Sequence, residues 1–141
     1  MGITLAGERP AERNGVFRWT DGDAASGERH ADDAGWKFVF VDTGGVEDRE
    51  GFLAVCREAF DLPPAVVRWE QLDGCLRSLD LEDEGLLVVW DGWASLADGD
   101  PDTFEMAVEV FQDACVSWRD DEVPGSVLLV GDGPETDLPA V

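Results

Sequence analysis

Tyrosine is missing from these 141 residues, and histidine and lysine occur once each, as His30 and Lys37. Acid–base and nucleophilic catalysis draw heavily on those three residue types, so the inventory for an enzyme is thin. His30 sits in a Gly- and Asp-rich leader, where a loop residue is expected, and Lys37 stands inside or beside a strand. Cysteine is scarce too. Cys56, Cys75 and Cys115 are an odd number without a CxxC spacing, which argues against a disulfide framework or a zinc site. Each falls on the apolar face of a predicted helix, where a free thiol behaves as a small hydrophobe. Neither a dinucleotide fingerprint nor a Walker loop occurs, and Gly131-Asp132-Gly133-Pro134 is too short to serve as one. No cofactor is expected. No apolar run reaches membrane-spanning length, so no membrane association is expected. Met1 to Pro10 carries neither a basic n-region nor an apolar core, so no signal peptide is expected and the location reads as cytoplasmic.

Positive charge is the scarcest commodity. Lys and Arg total 10 against 32 Asp and Glu, for a formal charge of −22 and a pI near 4.1. Such a field repels phosphate backbones and attracts cationic surfaces, which disfavours nucleic acid and favours a basic protein partner. The 44% hydrophobic content is enough for a core, and the length suits one domain.

Residues 1–35 read as a polar extension in which Val16-Phe17-Arg18-Trp19 could add an edge strand, while Asp21 to Asp33 reads as a mobile loop. Residues 36–131 carry the domain pattern, and 132–141 read as a flexible tail. Three nearly continuous apolar runs, Lys37 to Val41, Leu86 to Trp90 and Val127 to Val130, have the look of strands buried on both faces. Helical patterns lie between them. Asp48 can cap a helix to about Phe60, with Phe52, Cys56, Ala59 and Phe60 on one side, before Pro63-Pro64 stops it. A second helix aligns Trp69, Leu72, Leu76 and Leu79. A third, from about Asp102 to Trp118, carries Phe104, Val108, Phe111, Cys115 and Trp118 as one stripe. The order strand, helix, helix, strand, helix, strand predicts an α/β fold with a small three-stranded parallel sheet covered by three helices.

Two acidic patterns invite a metal. Asp42 and Asp91 each follow a predicted strand, where parallel sheets place their sites, and could hold Mg²⁺ for phosphotransfer. Ordinary turn chemistry explains Asp-Thr-Gly and Asp-Gly with less. Asp98, Asp100, Asp102 and Glu109 match several positions of a calcium loop, but Thr103 replaces the required glycine, and helix capping accounts for the acids. What remains is surface carboxylate. Glu70 and Asp73 stand one turn apart and are followed by Asp80, Glu82, Asp83 and Glu84; Glu105, Glu109 and Asp113 recur every four residues. Asp73 and Arg77 can pair at i, i+4.

Trp69-Glu70-Gln71-Leu72-Asp73-Gly74-Cys75-Leu76-Arg77-Ser78-Leu79, together with Trp90-Asp91-Gly92-Trp93, resembles the barstar family of intracellular ribonuclease inhibitors. The resemblance spans Trp36 to Val130, and Gly15 to Trp19 is similar to the start of longer bacterial members. It implies that the motif helix and its preceding loop plug the active site of a secreted ribonuclease or related toxin, with carboxylates standing in for phosphates. By position, Arg68, Glu70, Asp73, Gly74, Arg77 and Asp113 are the implied partner-binding residues. Gly74 stands where the family has its central aspartate, and Ala65-Val66-Val67-Arg68 replaces the usual aromatic-Gly-x-Asn loop. Three functions are therefore expected in this order: nuclease inhibitor or immunity protein, general protein-binding module on the same scaffold, and metal-dependent phosphotransfer enzyme through Asp42 and Asp91.

Overall fold

The computed structural model describes residues 14–19, 22–79, 85–134, 136 and 138–139. Met1 to Pro10 and the acidic run Asp80, Glu82, Asp83 and Glu84 lie outside the described residues. The elements run β1 (Gly15–Trp19), α1 (Ala24–Ala34), β2 (Lys37–Asp42), α2 (Arg49–Ala59), α3 (Trp69–Arg77), β3 (Leu86–Asp91), α4 (Trp93–Gly99), α5 (Pro101–Asp120) and β4 (Gly125–Val130). The strands form one sheet in the order β1-β4-β3-β2, with every neighbouring pair parallel.

The sheet has the three core strands expected and the edge strand that Val16-Phe17-Arg18-Trp19 suggests. Among the described residues it has four strands, since Gly15–Trp19 pairs with β4 as a full edge strand, and five helices rather than three accompany it. The segment expected as a loop from Asp21 to Asp33 is mostly α1. Asp23 caps it by accepting from the Ser26 N–H at 2.7 Å, and Gly35 closes it in the left-handed conformation. Its packing residues are Gly27 and Ala31, too small to print an apolar stripe.

Strand alternation divides the core in two. On the front face Val16, Val41, Leu86, Val88, Trp90, Val127 and Leu129 meet the buried sides of α2, α3, α4 and α5. On the back face Phe17, Trp19, Leu87, Val89, Leu128 and Val130 meet α1. Leu86 to Trp90 is buried throughout, which is why the run shows no polar alternation. The aromatic centre of the front core is Trp90, with Phe52, Phe104 and Phe111 at centroid distances of 5.5, 5.7 and 5.4 Å. The predicted stripes of α2, α3 and α5 all face this cluster: Phe52 and Cys56, Leu72 and Leu76, Phe104, Phe111, Cys115 and Trp118 are buried. Among the described residues no helix is long and apolar enough to cross a membrane.

Candidate functional site

The motif helix α3 is anchored from beneath and from both ends. Leu72 and Leu76 are fully buried, and Trp69 tilts against Phe52 at 5.6 Å. At its C-terminal end the Leu76 carbonyl, reached by the Leu79 N–H at 3.4 Å, also accepts from Trp118 Nε1 of α5 at 3.0 Å. At its N-terminal end Gln71 Oε1 accepts from the backbone N–H groups of Val67 and Arg68, at 2.9 and 3.1 Å. One step earlier, Arg57 of α2 donates to the Val66 carbonyl at 2.8 Å while the Val66 side chain is buried. The loop is thus pinned at Val66, and Val67 is pushed outward with 54% of its surface exposed. Sequence reasoning missed Arg57, Val66 and Gln71. A glutamine at the third helical position is the one local signal for that cap.

With α3 held this way, Glu70, Asp73, Gly74 and Arg77 lie away from the fully buried Leu72 and Leu76. Asp73 Oδ1 accepts from Arg77 Nε at 3.0 Å, the i, i+4 pair read from the spacing. That hydrogen bond raises the Arg77 pKa, and Asp113 on α5 adds to the effect through its charge. Asp73, Arg77 and Asp113 therefore share one electrostatic neighbourhood where α3 packs on α5. Glu70 lines a cavity of about 300 Å³ with Arg49, Val67, Arg68 and Trp69. A second cavity of about 470 Å³ joins Trp69 and Arg49 to Met106 of α5, which is 39% exposed. Nothing lies within 4 Å of where a Gly74 Cβ would be, so this position is an open notch in the face.

The face gathers cations that are scarce elsewhere, although Asp48, Glu50, Asp100 and Asp102 also line the cavity beside Arg49. Glu70, Asp73 and Asp113 are set against Arg49, Arg68 and Arg77, and three of the ten cationic residues gather here. The loop and α3 present a valine, two arginines and separated carboxylates, an arrangement suited to protein contact rather than to bond making.

The alternative metal sites resolve as local structure. Asp42 and Asp91 are register partners at the carboxyl ends of β2 and β3. Each carboxylate closes its own turn, accepting from the Gly44 N–H at 2.9 Å and the Gly92 N–H at 2.7 Å respectively. Gly92 has φ 68°, and a Cβ there would meet the Gly44 nitrogen at 2.2 Å, so only glycine fits between Trp90 and Trp93. Asp100 caps α5, accepting from the Thr103 N–H at 3.3 Å and its hydroxyl at 2.6 Å, while Glu109 lies within the helix. Among the described residues no three His, Cys, Asp or Glu side chains gather in a way that could hold a metal. His30, expected in a loop, lies in α1 with its ring edge-on to Trp36 at 5.9 Å.

In this parallel α/β scaffold the conspicuous carboxylates cap helices, close turns or stand on an exposed helix face. The profile of the family described as Barstar (barnase inhibitor) matches residues 36–130, and the chain belongs to that family. The match leaves β1, α1 and the residues after β4 outside it. No curated protein matches the chain. Among solved structures, the Aeropyrum pernix ORC2 protein in its ADPNP–ADP complexes is similar, at 16% identity and a TM-score of 0.54. The likeness covers 94% of this chain and 42% of that one, and concerns the fold alone.

Proposed function

We infer that the α3–α5 face binds a basic ribonuclease or related toxin and occludes its active site, in an inhibitor or immunity role. The observation that carries this reading is the exposed Asp73–Arg77 pair on α3, packed against the α5 helix that bears Asp113, in a barstar-family scaffold. Carboxylates fixed on helices lose little freedom on binding, so a cationic cleft meets charge that is already in position. The partner-binding residues are Arg68, Glu70, Asp73, Gly74, Arg77 and Asp113. Arg68 and Arg77 call for carboxylates on the partner as well, and the notch at Gly74 leaves room for one of its side chains. Charge complementarity selects the partner and speeds the encounter more than it adds affinity.

Inhibition of RNA cleavage by a small basic ribonuclease, followed across a salt series, tests the proposal. Inhibition should weaken as ionic strength rises, and Glu70→Ala, Asp73→Ala and Asp113→Ala should each weaken it further. Full inhibition by all three variants would eliminate this face.

The exposure of Val67 favours a second reading, a general protein-binding module on the same scaffold. In that case Val67→Ser and Arg68→Ala reduce partner binding more than Glu70→Ala does.

A further inference from the structure

The two ends of the described chain interlock outside the family-matched span. Arg18 of β1 lays its guanidinium 4.4 Å from the centre of the Trp93 ring and donates from Nη2 to the Gly131 carbonyl at 3.3 Å. Its backbone N–H donates to the Pro139 carbonyl at 2.8 Å. Gly133 sits so close to Trp93 that a Cβ would lie 2.3 Å from the ring, and Leu138 packs against the front core. These contacts hold the segment after β4 beside the first half of α5.

Between that segment and α5 runs a groove of about 660 Å³, within the about 300–1,000 Å³ typical of binding pockets. Phe104 and Val108 form its floor on the helix side, Leu138 and Pro139 its opposite wall, and Glu105 and Glu109 line it one turn apart. Both glutamates are exposed, and neither has an ion-pair partner among the described residues. Like charges at i, i+4 repel, and among the described residues no cation lines the groove to relieve them. The groove adjoins the α3 face without coinciding with it: Glu109 lies one turn from Asp113, while Glu105 and Met106, neighbours in sequence, point roughly 100° apart around the helix.

We propose that this groove docks a basic segment of a partner protein. A Lys or Arg side chain lays its methylenes along Phe104, Val108 and Leu138 and carries its charge to Glu105 and Glu109. Long cationic side chains suit a site with an apolar floor and an acidic edge, because stem and head are both satisfied. An apolar ligand leaves the glutamates repelling one another, and a bare cation leaves the floor wet.

The test uses the full chain and a fluorescein-labelled peptide of alternating lysine and leucine, followed by fluorescence anisotropy at low salt. The double variant Glu105→Gln/Glu109→Gln should weaken binding at least about tenfold, equivalent to about 1.4 kcal/mol. A control with the same change in net charge, Glu28→Gln/Glu58→Gln, should shift it less than about twofold, because its distant charges are screened. Replacing the peptide leucines by serine should also weaken binding. Equal losses in the two double variants would reduce the effect to general attraction by an acidic chain and overturn the proposal; so would serine peptides binding as well as leucine ones. Ribonuclease inhibition through α3 is expected to survive Glu105→Gln, which lies about two turns from Asp113. Loss of peptide binding in Glu70→Ala/Asp73→Ala instead would assign the peptide to that face and end the groove proposal.

Discussion

Trp90 and Thr43 share a buried hydrogen bond, with the indole Nε1 donating to Thr43 Oγ1 at 2.9 Å. The threonine hydroxyl in turn donates to the Gly92 carbonyl at 3.1 Å, so one oxygen satisfies two polar groups at the carboxyl end of the sheet. Both side chains are fully buried. Replacing Thr43 by the near-isosteric valine strands the buried indole N–H, while the Gly92 carbonyl keeps the Ser95 N–H at 3.3 Å, at a cost of about 1–3 kcal/mol. Thr43→Ser should recover most of it. Urea unfolding monitored by tryptophan fluorescence checks this, and a Thr43→Val midpoint equal to the parent's would refute it.

Two glycines inside helices should respond oppositely to the same substitution. A Cβ at Gly27 of α1 would come 2.6 Å from Cγ2 of Val89, a stiff, fully buried side chain of the sheet. At Gly74 of α3 it would meet nothing within 4 Å. Gly74→Ala gains helix propensity and should stabilise by up to about 1 kcal/mol. Gly27→Ala gains the same propensity but overpacks the back core, where such insertions cost about 1–3 kcal/mol, so a net loss is expected. Melting temperatures moving the same way for both would contradict the packing of α1.

His30 ties stability to pH. Burial beside Trp36 pushes its pKa below the ordinary 6.5, with Asp33 partly opposing the shift. The unfolded chain therefore takes up the proton first as pH falls. The stability contributed by the neutral ring is complete above the unfolded pKa and is lost as pH drops through it towards the folded value. Compared with His30→Gln, the parent should lose stability between about pH 7.5 and about pH 5.5. A difference between the two proteins that stays constant over that range would show that His30 is solvated.

The cysteines should divide by depth. Burial raises the thiol pKa of Cys56 and lifts that of Cys115 to about 12, so neither supplies a thiolate near neutrality. Cys75 is only partly covered on α3. A thiol reagent such as DTNB should label Cys75 alone in the folded protein and all three after denaturation. Labelling of Cys56 or Cys115 at the rate of Cys75 would mean that the front core opens freely.

How far the fold could be read from the sequence depended on residue size. β3 and β4 printed themselves as unbroken apolar runs because both their faces are covered. The helices α2, α3 and α5 were legible because Phe52, Leu72 and Phe111 are large and recur at the helical period. α1 was illegible because its contact surface is a glycine and an alanine, and close approach is a property of what is missing from a side chain. α4 is a single short stretch between two longer signals. For the candidate site, the spacing gave the Asp73–Arg77 pair directly. The nearness of Asp113 to Arg77 depends on how α3 lies across α5, and the pinning of the loop by Arg57 and Gln71 joins residues of separate elements. Neither is written in any local pattern.

Gly15 is paired with Ser126, and the whole of β1 lies against β4 in that register. A nascent chain emerging from the ribosome therefore makes β1 long before β4, its neighbour in the sheet, exists. Phe17 and Trp19, destined for the back core, have no sheet partner until Leu128 and Val130 leave the exit tunnel. Pairings so distant along the chain close slowly. Closure of this edge is accordingly a late step of folding, and until it happens Phe17 and Trp19 are apolar surface open to wrong partners.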